Sequence, residues 1–155
     1  MQRMNLAHAI LCGAILDHGN FSDADFHGAD LRGAQCTGAG LSGALFFATN
    51  LTRAFLGGVI IGGTPINVSL EGAVLNDANL AEANLNGANL RGAYLRHADL
   101  TGASFRVADL TAVNLDETNF TNADLNDVRW PEANPAPDGW QVDASGLLKP
   151  DRRMP

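Results

Sequence analysis

The chain has 155 residues, 46% of them hydrophobic and 17% charged, with a net charge of −7. That length suits a single domain, and the acidic balance argues against a nucleic-acid binder, which needs a basic stripe to follow phosphates. The two cysteines support no disulfide framework, and no apolar run reaches the roughly 20 residues that a membrane-spanning helix requires.

Met1-Gln2-Arg3-Met4 runs directly into a repeat, with no apolar signal-peptide core, so a cytoplasmic location is expected. From Leu6 onward every fifth residue is large and apolar, through Leu11, Leu16, Phe21, Phe26, Leu31, Cys36, Leu41, Phe46, Leu51, Leu56 and Ile61 to Ile66. Only four positions then separate Ile66 from Leu70, and the period resumes from Leu70 to Trp130. Two residues before each centre sits a small side chain, usually Ala, so that the unit reads A-(D/N)-L-x-x. A period of five fits neither the 2 of a strand nor the 3.6 of a helix. A fixed internal repeat instead predicts a solenoid.

Runs such as Ala78-Asn79-Leu80-Ala81-Glu82 and Ala88-Asn89-Leu90-Arg91-Gly92 resemble the pentapeptide repeat family. The resemblance covers twenty-six units, residues 4–130, and implies an all-β fold, a right-handed quadrilateral parallel β-helix of about six and a half coils. It implies that the central residue and the small one before it point inward while the other three face solvent. Cys36 is then a core residue and Cys12 an outward one.

Taking units in turn around four sides, one face is centred on Phe21, Leu41, Ile61, Leu80, Leu100 and Phe120. Its outward charges, Asp23, Glu82 and Asp99, are all acidic. The face centred on Leu16, Cys36, Leu56, Leu75, Leu95 and Leu115 carries Asp116 and Glu117. Some members of the resembled family are acidic rods that imitate duplex DNA and occupy the DNA groove of type II topoisomerases. The resemblance therefore implies a DNA-mimic reading, with DNA gyrase or topoisomerase IV as partner and these five carboxylates as contacts. The plainer alternative is that the charges keep the rod soluble and its edges apart.

A second group lies in the middle coils. Leu45, Phe47, Phe55 and Ile60 fall at outward positions beside Gly57, Gly58, Gly62 and Gly63. Clustered exposed apolar residues mark interfaces, so they are expected to form a protein contact, a homodimer included, unless the tail folds over some of them or a local bulge turns them inward. Pro65 cannot donate a ladder hydrogen bond, and a kinked or tightened turn is expected between Ile66 and Leu70.

No capping helix precedes Leu6, which leaves end-to-end pairing of two copies open. After Trp130-Pro131 the period stops, and residues 131–155 are expected to form a capping tail. Within it Trp140-Gln141-Val142-Asp143, then Ala144-Ser145-Gly146, then Leu147-Leu148 read as a small hairpin. Trp130 and Trp140 are predicted to shield the last coil. The tail lacks the long helix with which resistance-type members of the family dimerise.

His8, His27 and Asp25 are too few for a zinc site, and no nucleophile elbow, phosphate loop or metalloprotease motif is present. Neither metal nor cofactor is expected. The sequence thus points to a non-enzymatic module that acts through its surface on another protein.

Overall fold

The structure, a computed structural model, describes residues 3–61 and 64–151. Its backbone is organised by four ladders of parallel bridges, most of them joining residues twenty apart. The first runs Asn5, Asp25, Leu45, Val74, Tyr94, Asn114, and the second Ile10, Asp30, Asn50, Asn79, Asp99, Asn119. The third runs Ile15, Gln35, Phe55, Asn84, Ser104, Asp124, and the fourth Asn20, Gly40, Ser69, Asn89, Asp109, Arg129.

The unit explains the ladder. Each corner is a four-residue turn closed by the small residue's N–H, as where Ala9 N donates to Leu6 O at 3.0 Å. The third residue of the turn takes a left-handed conformation, φ 58° at His8 and 67° at Gly13, which favours glycine there. Between corners the chain is extended, so Leu6 N donates to Asp25 O at 2.7 Å and Asp25 N returns to Met4 O at 2.9 Å. Asp or Asn before the central residue fixes the next corner through its side chain. Asp25 Oδ1 accepts His27 N at 2.9 Å and Asn89 Oδ1 accepts Arg91 N at 3.1 Å, a local bond these side chains make readily.

Central residues and their small predecessors meet inside. Leu31, Leu51, Leu80 and Leu100 form one buried column, and Ala24, Ala44, Ala73 and Ala93 leave room beside another. Phe26 and Phe46 stack face to face, with centroids 4.9 Å apart and 2° between planes. Thr49, the buried polar residue among these, replaces the usual Ala and donates its hydroxyl to Phe26 O at 2.7 Å.

The register corrects the sequence reading at one place. Gly40 bridges Ser69 rather than residue 60, and the same step of 29 recurs at Leu45–Val74, Asn50–Asn79 and Phe55–Asn84. The expected tight turn at Pro65 is a hairpin. Strand β1 (Val59–Ile61) pairs antiparallel with β2 (Thr64–Ile66), Ile60 opposite Pro65. The chain leaves the stack after Gly58, whose N–H still donates to Asn86 O at 2.7 Å. It rejoins at Val68, whose carbonyl accepts Asn89 N at 3.1 Å. Ile61 and Ile66 are thus not repeat centres. The face assigned to Phe21, Leu41, Ile61, Leu80, Leu100 and Phe120 does not exist. Phe21 and Leu41 continue into Leu70, Leu90, Leu110 and Trp130, while Leu80, Leu100 and Phe120 continue Leu11, Leu31 and Leu51.

Beyond Arg129 the tail turns back. Strand β3 (Trp140–Val142) pairs antiparallel with β4 (Leu148–Pro150), and Leu147 bridges Arg129 antiparallel, laying the tail against one corner of the last rung.

Candidate protein-interaction face

The step of 29 brings Leu45, Val74 and Tyr94 onto consecutive rungs of the first ladder. All three stand where most units carry Asp or Asn. Tyr94 is 51% exposed and Leu45 and Val74 half-buried. Beside Leu45, on the adjoining corner, Phe47 is 44% exposed and stacks on His27 at 5.4 Å and 2°. The His8 ring lies 5.4 Å from that of His27 and nearly perpendicular to it. With no carboxylate or amide at rungs 45 and 74, the N–H groups of Phe47 and Asn76 have no acceptor among the described residues. That local bond is absent where the apolar side chains stand.

Of the residues singled out in the sequence, Leu45 and Phe47 therefore lie together. Phe55 does not join them: it is half-buried on the third ladder, between Gln35 and Asn84. Ile60 belongs to the hairpin, and its side chain lies outside the described part of the molecule. Val74 and Tyr94 were missed, although Ala73-Val74-Leu75 and Ala93-Tyr94-Leu95 carry the signal, a large apolar residue in the Asp/Asn slot.

The acidic residues are dispersed. Asp23 lies on the corner after Phe21, next to the fourth ladder, whereas Glu82 and Asp99 lie by the second. Glu82 is bound by Arg53, Nε to Oε2 at 2.7 Å, and this hydrogen bond holds its carboxyl below the usual range. Asp99 Oδ1 accepts from Thr101 N and Oγ1, at 3.0 and 2.6 Å, and from Asn119 Nδ2 at 3.2 Å. Asp116 and Glu117 follow Leu115 on the corner beyond the first ladder, and Glu117 Oε2 lies 3.3 Å from His97 Nδ1. Arg91 and Arg129 flank Asp109 at 3.6 and 3.9 Å, and Arg106 reaches Asp124 at 3.6 Å. Exposed pairs of this kind contribute little stability, but they divide the acidic field.

Trp130 is buried at the end of its column, its ring 5.6 Å from Phe120 and its Nε1 donating to Asn134 O and Pro135 O at 3.2 Å. Trp140 packs half-buried against the core. Cys36 is buried and Cys12 exposed. Burial, and then the nearby Asp17 charge, push the Cys36 thiol up to about 12. Among the described residues no group of three His, Cys, Asp or Glu is placed to hold a metal ion, and no helix is long and apolar enough to cross a membrane.

A search of curated protein sequences found no match. Among solved structures, trypsin-treated QnrB1, a plasmid-mediated fluoroquinolone resistance protein, is 21% identical over 92% of this chain and 63% of its own, with a TM-score of 0.52. The chain thus spans under two thirds of that protein, and the likeness is one of fold. HetL, a pentapeptide repeat protein involved in heterocyst differentiation regulation from the cyanobacterium Nostoc, is 27% identical over 87% of this chain and 78% of its own, with a TM-score of 0.33. A pentapeptide repeat protein of the Arabidopsis thaliana thylakoid lumen is 29% identical over 85% and 72%, with a TM-score of 0.39. The family model for pentapeptide repeats matches residues 1–33, 24–63, 66–96 and 88–127 in 8 copies. With the five-residue unit written through its core and its ladders, the chain belongs to the pentapeptide repeat family.

Proposed function

We propose that this chain is a non-enzymatic protein-interaction module whose contact surface is the first-ladder face around Leu45, Val74 and Tyr94. One observation carries this: three consecutive rungs of one ladder hold large apolar side chains in the slot that most units fill with Asp or Asn. The substitution forgoes a local hydrogen bond at Phe47 and Asn76 and packs nothing further into the core, so its benefit lies outside the chain. A contiguous apolar stripe suits a partner's surface, and Tyr94 and Phe47 supply aromatic rings of the kind that anchor interfaces. We further read the chain as a right-handed four-sided helix of six turns, housed in the cytoplasm, where both thiols remain reduced.

The test is a photo-crosslinking residue placed at Tyr94 in the native host. It should capture a protein, or a second copy of this chain, that the same probe at Thr101 does not. Leu45→Ser with Val74→Ser should abolish the adduct. Equal capture from both positions would overturn the assignment.

A second reading, DNA mimicry directed at gyrase or topoisomerase IV, draws support from the net charge of −7 and from the fold shared with a fluoroquinolone resistance protein. The arginines interleaved with Glu82, Asp109 and Asp124 count against it. A gyrase supercoiling assay decides. Inhibition or quinolone protection that disappears on neutralising Asp23, Glu82 and Asp99 would establish mimicry, and no effect at tens of micromolar would exclude it.

A further inference from the structure

The tail touches the last rung at three backbone groups. Asp127 N donates to Leu148 O at 3.1 Å, Val128 O accepts Leu148 N at 2.8 Å, and Trp130 N donates to Gly146 O at 3.1 Å. Fifteen residues earlier, at equivalent positions of the repeat, stand Ala112 N–H, Val113 C=O and Leu115 N–H. None of these has a partner among the described residues. They open into a cleft of about 730 Å³ between residues 111–116 and the start of the tail, with Leu115, Trp130 and Pro131 on its walls. The next amide in register, as far beyond Val113 C=O as Asn114 N is beyond Ala93 O, is that of Asn134, and it does not reach back to the rung. Asn134 N closes a turn on Pro131 O at 3.2 Å instead. A further polar group there lacks a partner. The Thr111 hydroxyl is shielded from solvent and unbonded, whereas the corresponding hydroxyls of Thr101 and Thr121 bond to Asp99 and Asn119. Asp116 and Glu132 stand exposed at the cleft, and its one basic side chain, Arg129, lies 3.9 Å from Asp109.

We propose that this cleft is a strand-addition site for an extended peptide of a partner protein, one with basic side chains flanking an apolar residue. The site lies at the end of the first ladder, where Asn114 follows Tyr94, and uses the open backbone edge there and not the apolar side chains of Leu45, Val74 and Tyr94. The peptide takes the place that the next rung would have filled: its carbonyls accept Ala112 N–H and Leu115 N–H, and one of its N–H groups donates to Val113 C=O. This is the pattern the tail already makes at 127–130, and main-chain pairing of this kind supplies affinity while side-chain pockets supply choice. The apolar residue lies against Leu115 and Trp130, and the basic ones face Asp116 and Glu132.

The probe is a blocked Lys-Val-Leu-Val-Lys peptide titrated into the ¹⁵N-labelled full chain. The amide signals of Ala112 and Leu115 should move downfield and exchange more slowly with solvent. The same peptide N-methylated at its valines should bind about tenfold more weakly, having lost its donors. Asp116→Lys with Glu132→Lys, both exposed and harmless to the fold, should weaken binding severalfold, and the Glu-flanked peptide should bind the wild-type protein least. No movement at Ala112 and Leu115 at millimolar peptide would overturn the proposal, as would equal movement at the open edge around Phe120 and Leu125 or indifference to N-methylation. Concentration-dependent protection of Ala112 and Leu115 in the free protein, with a dimer in sedimentation, would overturn it in favour of a second copy.

Discussion

Gly40 pairs with Ser69 across a step of 29 residues, and Ser69 pairs with Asn89 across the ordinary step of 20. The nine additional residues leave the stack as the β1–β2 hairpin and disturb neither the rung below nor the rung above. Deleting Val59–Asn67 joins Gly58 to Val68 and restores a continuous five-residue unit, Gly57-Gly58-Val68-Ser69-Leu70. The shortened protein should keep its β-type circular dichroism and melt within a few degrees of the parent. Loss of a cooperative melt would show that the hairpin is part of the folding unit.

Val107 has φ 61° at a corner position that units such as those of Gly92 and Gly102 fill with glycine, and it is 69% exposed. A β-branched residue is strained in the left-handed region and gains no burial here. Val107→Gly should therefore stabilise the chain by about 1 kcal/mol, read as a higher denaturant midpoint at unchanged slope. A lower midpoint would mean that backbone freedom in the unfolded state outweighs the relieved strain.

Leu90 is fully buried between Leu70 and Leu110 in its column. Leu90→Asp places a carboxylate there with no partner, a cost of several kcal/mol that exceeds what neighbouring rungs can absorb. The variant should be unfolded at neutral pH by circular dichroism. A folded variant would mean that the column is more open to water than its burial indicates.

Cys36 offers a test in alkali. Its thiol is pushed up from an ordinary value of 9.0 to about 12 in the folded chain, so the fold favours the neutral form. The stability tied to it is fully present below pH 9 and is lost as pH rises toward 12, amounting to at most about 4 kcal/mol at the upper end. Cys36→Val should flatten the decline in melting temperature between pH 9 and 11. In the native protein at pH 8 a thiol reagent should label Cys12 rapidly and Cys36 only after unfolding. Rapid labelling of both would refute the burial of Cys36.

The inward positions could be read directly, because each unit repeats the same demand: Ala24 and Phe26, or Ala88 and Leu90, state locally which side chains fill the interior. The hairpin could not be read that way. Ile61 and Ile66 fall on the five-residue count while belonging to antiparallel strands, and spacing alone does not separate a stacked unit from a strand of similar hydrophobicity. Val59 and Thr64, standing where a small residue is expected, were the trace of the departure. Once the count continued through them, every later residue was assigned to the wrong side. Leu45 then lost its neighbours Val74 and Tyr94, and Asp23 gained Glu82 and Asp99 as false ones. The candidate face was legible residue by residue but not as a surface, since its members meet only through pairings across the inserted hairpin.

The four ladders convert residue number into length. Each advance of twenty residues moves a side chain one graduation along the axis, about 4.8 Å, so Asn79, Asp99 and Asn119 mark off equal intervals. The β1–β2 hairpin is the exception that calibrates the scale: it lengthens the polypeptide by nine residues and the rod by nothing. Label pairs on Asn50 and Asp99 would thus measure two graduations, although the count of residues between them suggests more.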